Sequence, residues 1–512
     1  MRKHLVGAAT ALVMALAFAP VTAAIDKVDS KKLRKGVSVD GILEHERALQ
    51  DIAIANDGNR AAATPGYLGS LDYVENRLKR AGYSTERVPF DFPKWTLNAP
   101  STVEETAPTA RTFVEDSDYI VAQFSAGADV TGQLVPTNDI EIPPPGGAGS
   151  GTSGCEASDF PPETAGAIAL MQRGTCTFVA KYDNAKAAGA IGAVIFNDGG
   201  DGREAPLATT STANIGIPTL MISNDIGESL YTEAQTGPVT LQIAVDATTT
   251  PNTEYNLIAD SPSGKANRTI VAGAHLDSVA EGPGINDNGS GTSTLVEIAE
   301  QMATLNQKPR NRVRFAFWGA EEAGLVGSSA YVKQLVASGG IDQIEANLNF
   351  DMVGSPNFVR FVYDGDNSTG EGSVGPAGSG EIEKMFNRYF RSQGLVTDPT
   401  PFDGRSDYGE FILNDVPAGG LFTGAEGIKT PEQEAVYGGV AGLAYDPCYH
   451  QACDTFFNLS YPALDQMSDA AAHGTWTLAR SHSPISQAEV AKKAKQARKG
   501  KTLRYRSDFR VR

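Results

Sequence analysis

Two histidines and a set of carboxylates stand where they could do chemistry together. His275 is followed closely by Asp277, Asp287 lies within Gly284-Ile285-Asn286-Asp287-Asn288-Gly289-Ser290-Gly291, Glu321 and Glu322 are adjacent, Asp351 follows Asn347-Leu348-Asn349-Phe350, and His450 lies between Cys448 and Cys453. Two imidazoles and three or more carboxylates suit a pair of borderline divalent metals that accept nitrogen and oxygen donors, with no thiolate needed. Two such ions about 3.5–4 Å apart repel each other unless an anion bridges them, so one carboxylate must be shared. Asp287, on a glycine-rich turn that lets the backbone approach closely, is the natural bridge. Glu321 and Glu322 point apart as consecutive residues leaving a strand, so one can bind metal while the other faces a substrate as a base.

The elements that must position these groups can be read from periodicity. Residues 269–274 read as a strand running into His275, residues 313–318 as the strand before Glu321, and residues 347–353 as the strand carrying Asp351. Helices expected over 290–305 and 328–337 alternate with them, which predicts an α/β fold with a mostly parallel, mixed sheet flanked by helices. In such sheets ligands bind beyond the carboxyl ends of the strands, where the polar residues cluster here. Residues 37–80 read as two amphipathic helices separated by a turn at Pro65-Gly66. Between about 106 and 247 the texture changes to short β-branched runs such as Tyr119-Ile120-Val121-Ala122, many glycines and prolines, and one helix over 178–188. This is the mark of an inserted β-rich module, bounded by the turn-rich segments 98–101 and 250–253. The expected organisation is a discontinuous α/β domain at 37–104 and 251–482 with the insertion at 105–250.

The chain ends carry different information. Arg2-Lys3-His4, the apolar run 5–19 and Pro20-Val21-Thr22-Ala23-Ala24 predict a signal peptide over 1–24, cleaved near residues 23–25, and hence a secreted protein. The apolar run is shorter than the about 20 residues a membrane span needs, and no later segment qualifies. Four cysteines in an exported chain favour disulfides. Cys155 with Cys176 and Cys448 with Cys453 are the pairings nearest in sequence, with three connectivities open. A bridge closing the short Cys448–Cys453 loop would hold His450 in place, and is preferred to a thiol ligand. The 512 residues carry a net charge of −18, and an acidic surface argues against a nucleic-acid partner. Residues 483–512 form a basic tail, read as solvated and protease-sensitive.

Taken together, Gly273-Ala274-His275-Leu276-Asp277-Ser278, Asn286-Asp287-Asn288-Gly289-Ser290-Gly291, Trp318-Gly319-Ala320-Glu321-Glu322, Asn349-Phe350-Asp351-Met352 and Cys448-Tyr449-His450 resemble the co-catalytic dizinc aminopeptidases of peptidase family M28, in particular the secreted streptomycete type. The insertion resembles a protease-associated (PA) domain. The resemblance implies two zinc ions per chain, one held by His275, Asp287 and Asp351 and the other by Asp287, Glu322 and His450. It also implies that Glu321 is the general base acting on a metal-bridging water, that Asp277 orients the His275 imidazole, and that Tyr449 is an oxyanion donor. Arg405 resembles a residue that positions the catalytic glutamate or the substrate. Peptide or protein N-termini, bulky and apolar, are the implied substrates. Asp465 and Asp469 match calcium-binding positions of the streptomycete type, but the third expected carboxylate is replaced at Gly36, which counts against calcium. A carboxypeptidase or dipeptidase on the same scaffold would need a cationic clamp for the substrate carboxylate. A non-catalytic binding protein would have lost ligands, and here all five remain with the base. A serine hydrolase lacks its Gly-x-Ser-x-Gly elbow.

Overall fold

The structure, a computed structural model, describes residues 28–200, 203–207, 215–482 and 484–485. The expected signal peptide and, apart from residues 484–485, the expected basic tail lie outside the described residues.

Two eight-stranded sheets organise the chain. The first runs in the order Ser84–Asp91, Thr253–Asp260, Asn311–Trp318, Lys265–His275, Ile344–Phe350, Ala418–Phe422, Phe361–Tyr363, Asp398–Thr400. Its four central strands, from Asn311–Trp318 to Ala418–Phe422, are parallel, and antiparallel pairings on either side make the sheet mixed, as the alternating pattern predicts. The strand Lys265–His275 lies near the middle and is buried from Thr269 onward. Ile270, Ala272 and Ala274 pack into a core shared with the helices Val39–Ile54, Pro65–Arg80, Gly291–Thr304, Ser379–Ser392 and Tyr461–Arg480. Val271 faces the other way, against Trp318, Tyr331, Val332 and Phe411. Helices on both faces explain why this strand is a continuous apolar run rather than an alternating one. Gly273 is required by packing: a Cβ there would sit 2.6 Å from Trp318 Nε1.

Pro65-Gly66 is not a turn between the first two long helices. It opens the second one, with Thr64 accepting the Tyr67 N–H as cap, because a proline in the first turn forfeits only an N–H that has no helical partner.

The second sheet belongs to the insertion, in the order Arg111–Thr112, Lys94–Ala107, Thr240–Thr250, Ala128–Pro136, Ile168–Gln172, Gly192–Phe196, Thr219–Ile222, Tyr119–Val121. It has its own two hydrophobic clusters. The segment 98–101, expected as a turn, lies inside the long strand Lys94–Ala107. The strand absorbs Pro100 at shifts in register between Leu97 and Ala99 and between Ala99 and Thr102. The helix Asn224–Thr236 goes beyond the one helix expected in the insertion; Leu230 is buried on it and Ile226, Tyr231 and Ala234 pack beside it at helical spacing. The Phe92 N–H donates to the Asn252 carbonyl at 3.1 Å, so the two chain crossings into the insertion run side by side. Disulfides join Cys155 to Cys176 in the insertion and Cys448 to Cys453 in the first domain. No helix among the described residues is long and apolar enough to cross a membrane.

Candidate active site

The residues singled out in the sequence converge at the carboxyl ends of the central strands. His275 is the last residue of Lys265–His275, Glu321 and Glu322 lie just past Asn311–Trp318, and Asp351 follows Ile344–Phe350. Asp287 comes from the kinked turn Ile285–Ser290, where its own backbone is non-helical, just before the helix Gly291–Thr304. His450 comes from the disulfide-closed loop and has φ 55°, a backbone shape the loop must enforce.

One carboxylate faces both imidazoles. Asp287 Oδ1 lies 3.1 Å from His275 Nε2, and its other oxygen lies 3.3 Å from His450 Nε2. His275 Nε2 is also 3.2 Å from Asp351 Oδ1, and His450 Nε2 is 2.9 Å from Glu322 Oε2. Glu321 stands farther back, 3.9 Å from His275 Nε2. Four donors at about 2.0–2.1 Å around a tetrahedral zinc lie about 3.3 Å from one another, so these separations are those of ligands sharing an ion.

The charge balance points the same way. Burial pushes the Glu322 carboxyl up to about 7, against the pull of His450. Burial likewise holds Glu321 well above the usual carboxylate range, with Asp407 and Asp351 adding repulsion against the pull of His275. Asp407 itself is raised to about 8 by burial. Burial works against charge on His275 and His450, yet the surrounding carboxylates hold both well above an ordinary histidine. Glu322 Oε1 and both oxygens of Asp407 are buried without a hydrogen-bond partner. Such a surplus of buried negative charge is costly unless cations neutralise it, and the donor set fits a pair of divalent metals.

The loops are braced by polar side chains of the same motifs. The Asn286 and Asp287 N–H groups donate to the two carboxylate oxygens of Asp454, at 2.9 and 3.0 Å, which ties the Asp287 turn to the residue next to Cys453. Asn288 donates to the Phe350 carbonyl and accepts from the Met352 N–H, locking that turn to the Asp351 loop. Asp277 accepts the N–H groups of Glu321 and Glu322 at 3.2 and 3.3 Å. His275 Nδ1 lies 3.1 Å from the main-chain carbonyl of Asp277 and 3.7 Å from its carboxylate, so the carbonyl is the nearer partner of the ring. Ser406 donates to Asp351 Oδ2 at 2.5 Å and accepts from Asn349 at 2.7 Å.

Beside this cluster opens a cleft lined by Asp287, Glu321, Glu322 and Asp351 together with Met352, Tyr363, Pro401, Phe422 and Ala425. Tyr449 and Arg405 also line it, and Arg405 is its one cationic residue among the described residues. Tyr449 stacks on the His450 ring and receives a hydrogen bond from Arg405 at 3.3 Å. Asp454, Ser406 and Glu426, the partner of Arg405, were not singled out in the sequence. Asp454 follows Cys453 and Ser406 follows Arg405, so adjacency was the available signal, whereas nothing local marks Glu426.

Elsewhere, acidic groups have partners of their own. Glu300, beside His45 and Glu297, is held by Arg77. Asp364, near Asp366 and Glu383, accepts four hydrogen bonds from Ser368 and Thr369. Of the two carboxylates considered for calcium, Asp469 pairs with Arg34 at 2.9 Å.

Residues 256–475 match Peptidase family M28 and residues 130–230 match the PA domain. An aminopeptidase of Pseudomonas aeruginosa (strain UCBPP-PA14) is 44% identical over 468 residues, covering 91% of this chain and 85% of that protein. Leucine aminopeptidase 2 of Arthroderma otae is 38% identical over 439 residues, covering 85% and 83%. Among solved structures, a zinc aminopeptidase from Bacillus subtilis has the same fold, with a TM-score of 0.61 and 24% identity over 86% of this chain and 94% of that one. This extent of likeness, over both the strand-end motifs and the insertion, means that the chain belongs to peptidase family M28, as a hydrolase with an inserted PA domain.

Proposed function

We propose that this protein is a secreted co-catalytic dizinc aminopeptidase that removes bulky apolar residues from the N-termini of peptides. The observation that carries the reading is the Asp287 carboxylate, one oxygen turned to His275 and the other to His450, with Glu321 beside it at the cleft. His275, Asp287 and Asp351 would hold one ion, and Asp287, Glu322 and His450 the other. Bound zinc supplies Lewis acidity and makes water a better nucleophile at neutral pH. Glu321 takes a proton from the attacking water as its oxygen bonds to the scissile carbonyl carbon, then returns it to the amine as the C–N bond breaks. Tyr449, stacked on the His450 ring and lining the cleft, donates to the developing oxyanion. The free ammonium of a substrate meets the acidic pole of the cleft, while Met352, Tyr363, Phe422 and Ala425 offer an apolar wall to its side chain. The names of the Pseudomonas and Arthroderma relatives support an aminopeptidase and a leucine-like preference. Two disulfides, with no free cysteine among the described residues, support a destination outside the cytoplasm.

The test is hydrolysis of Leu-p-nitroanilide and of its N-acetylated form, with and without chelator. Chelator-sensitive cleavage of only the free-amine substrate is expected. Equal cleavage of the acetylated form would overturn the aminopeptidase reading.

A further inference from the structure

The only cationic side chain lining the cleft, among the described residues, is already engaged. Arg405 Nη1 donates to Glu426 Oε1 at 2.8 Å and Nη2 approaches Oε2 at 3.4 Å, while Nη2 also reaches Tyr449 Oη at 3.3 Å. The other nearby carboxylate, Asp403, accepts instead from the Arg405 main-chain N–H at 3.0 Å and from the Tyr408 hydroxyl at 2.8 Å, so the guanidinium is left to Glu426. Both members of the pair are partly open to solvent, with about a third of the Arg405 side chain and a quarter of Glu426 exposed. A planar guanidinium is the group best shaped to grip a carboxylate in two places, and this one faces the space that a substrate occupies.

We propose that Glu426 is a specificity-determining residue: by occupying Arg405 it denies the cleft a clamp for a substrate carboxylate. That carboxylate can be the C-terminus of a dipeptide or the side chain of an acidic N-terminal residue, and Glu426 repels both while filling the fork that would bind them. The proposal rests on the aminopeptidase reading. It also gives a physical reason why the same scaffold would not act as a dipeptidase, since the clamp that activity requires is present but closed.

The test compares kcat/KM for Leu-Leu with that for Leu-Leu-amide, and for Glu-p-nitroanilide with that for Leu-p-nitroanilide, in the wild-type protein, Glu426→Gln and Glu426→Ala. Freeing a charge-assisted pair should raise the free-acid to amide ratio about tenfold or more, mainly through KM. The first pair of substrates reads a C-terminal carboxylate and the second a side-chain carboxylate. Adding Arg405→Ala to Glu426→Ala should abolish the gain, which mere loosening of the loop would not do. Ratios within about twofold of wild type for both substrate pairs in both single variants, a difference too small for an opened ion pair, would overturn the role of Glu426 and leave the aminopeptidase reading standing. A wild-type protein that cleaves Leu-Leu but not its amide would overturn both, because the clamp would then already be open.

Discussion

The two sheets of this molecule both end parallel strands in polar residues, and they treat the charge there in opposite ways. In the inserted PA domain, Asp198 lies just past the strand Gly192–Phe196 and is met by Arg203 at 2.9 Å and by the Gly149 N–H at 2.6 Å. Arg173, just past Ile168–Gln172, donates to Asn197. In the peptidase sheet, Glu321, Glu322, Asp351 and Asp287 gather around two imidazoles with no Lys or Arg hydrogen-bonded to any of them among the described hydrogen bonds and ion pairs. Topology therefore offers a place for a site at strand ends, and unneutralised charge is what makes one of the two places a site.

The comparison breaks most sharply at Glu321. Glu321→Gln keeps the shape of the site but removes the proposed proton carrier, so kcat should fall by about 10²- to 10⁴-fold while zinc content is unchanged. Retained turnover, measured with Leu-p-nitroanilide, would end that assignment.

A smaller effect is expected one layer out. Ser406→Ala removes the hydroxyl that holds Asp351 Oδ2, and zinc affinity should weaken by about 10- to 100-fold, read by competition with a chromophoric chelator. An unchanged affinity would mean that the backbone after the strand Ile344–Phe350 positions Asp351 without the Ser406 hydroxyl.

Two histidines away from the cluster, His45 buried and His473 half-buried, sharpen the contrast from the other side. Burial lowers His45 to about 4, with Arg77 adding to the effect, and burial lowers His473 to about 4, with Arg34 adding. Both are neutral in the folded protein, whereas an unfolded histidine binds its proton near pH 6.5. Their contribution to stability is therefore complete above pH 6.5 and is lost as pH falls from there toward 4. At most about 3 kcal/mol per histidine is at stake. The urea midpoint of the wild type should drop between pH 7 and 4.5, and it should drop less in a His45→Gln/His473→Gln double variant. Equal drops would mean that these rings do not drive the acid sensitivity.

The smallest effect on activity belongs to the insertion. Arg203→Ala removes the partner of a buried carboxylate, yet kcat/KM for Leu-p-nitroanilide should stay within about twofold of wild type, as for a charge pair with no role in the chemistry. A large loss would tie the PA domain to the reaction.

Much of the fold and the site is legible in the sequence. The central strand and its neighbours announce themselves as apolar runs ending in His275, Glu321 and Asp351, since strands covered on both faces leave little polar alternation to confuse the reading. Asp287 is legible as the candidate bridge because it sits on a glycine-rich turn, and the structure places its carboxylate between the two imidazoles. What stayed hidden depends on contacts between residues far apart in the chain. Glu426 reaches Arg405 across 21 positions, and Asp454 reaches Asp287 across 167. Neither has a period or motif that local sequence could display. The PA-domain helix Asn224–Thr236 is a different case, since Ile226, Leu230, Tyr231 and Ala234 do form an apolar stripe at helical spacing, which the glycine- and proline-rich texture of the insertion masks. Pro65 was misread because a proline signals a break in a helix and the first turn of one equally well.

The central claim is that Asp287 is shared by two metal ions, and calorimetric titration of the metal-stripped protein with zinc tests it most directly. The account predicts two zinc ions per chain for the wild type and the loss of both high-affinity sites in Asp287→Ala. A single zinc in the wild type, or two retained in Asp287→Ala, would contradict it.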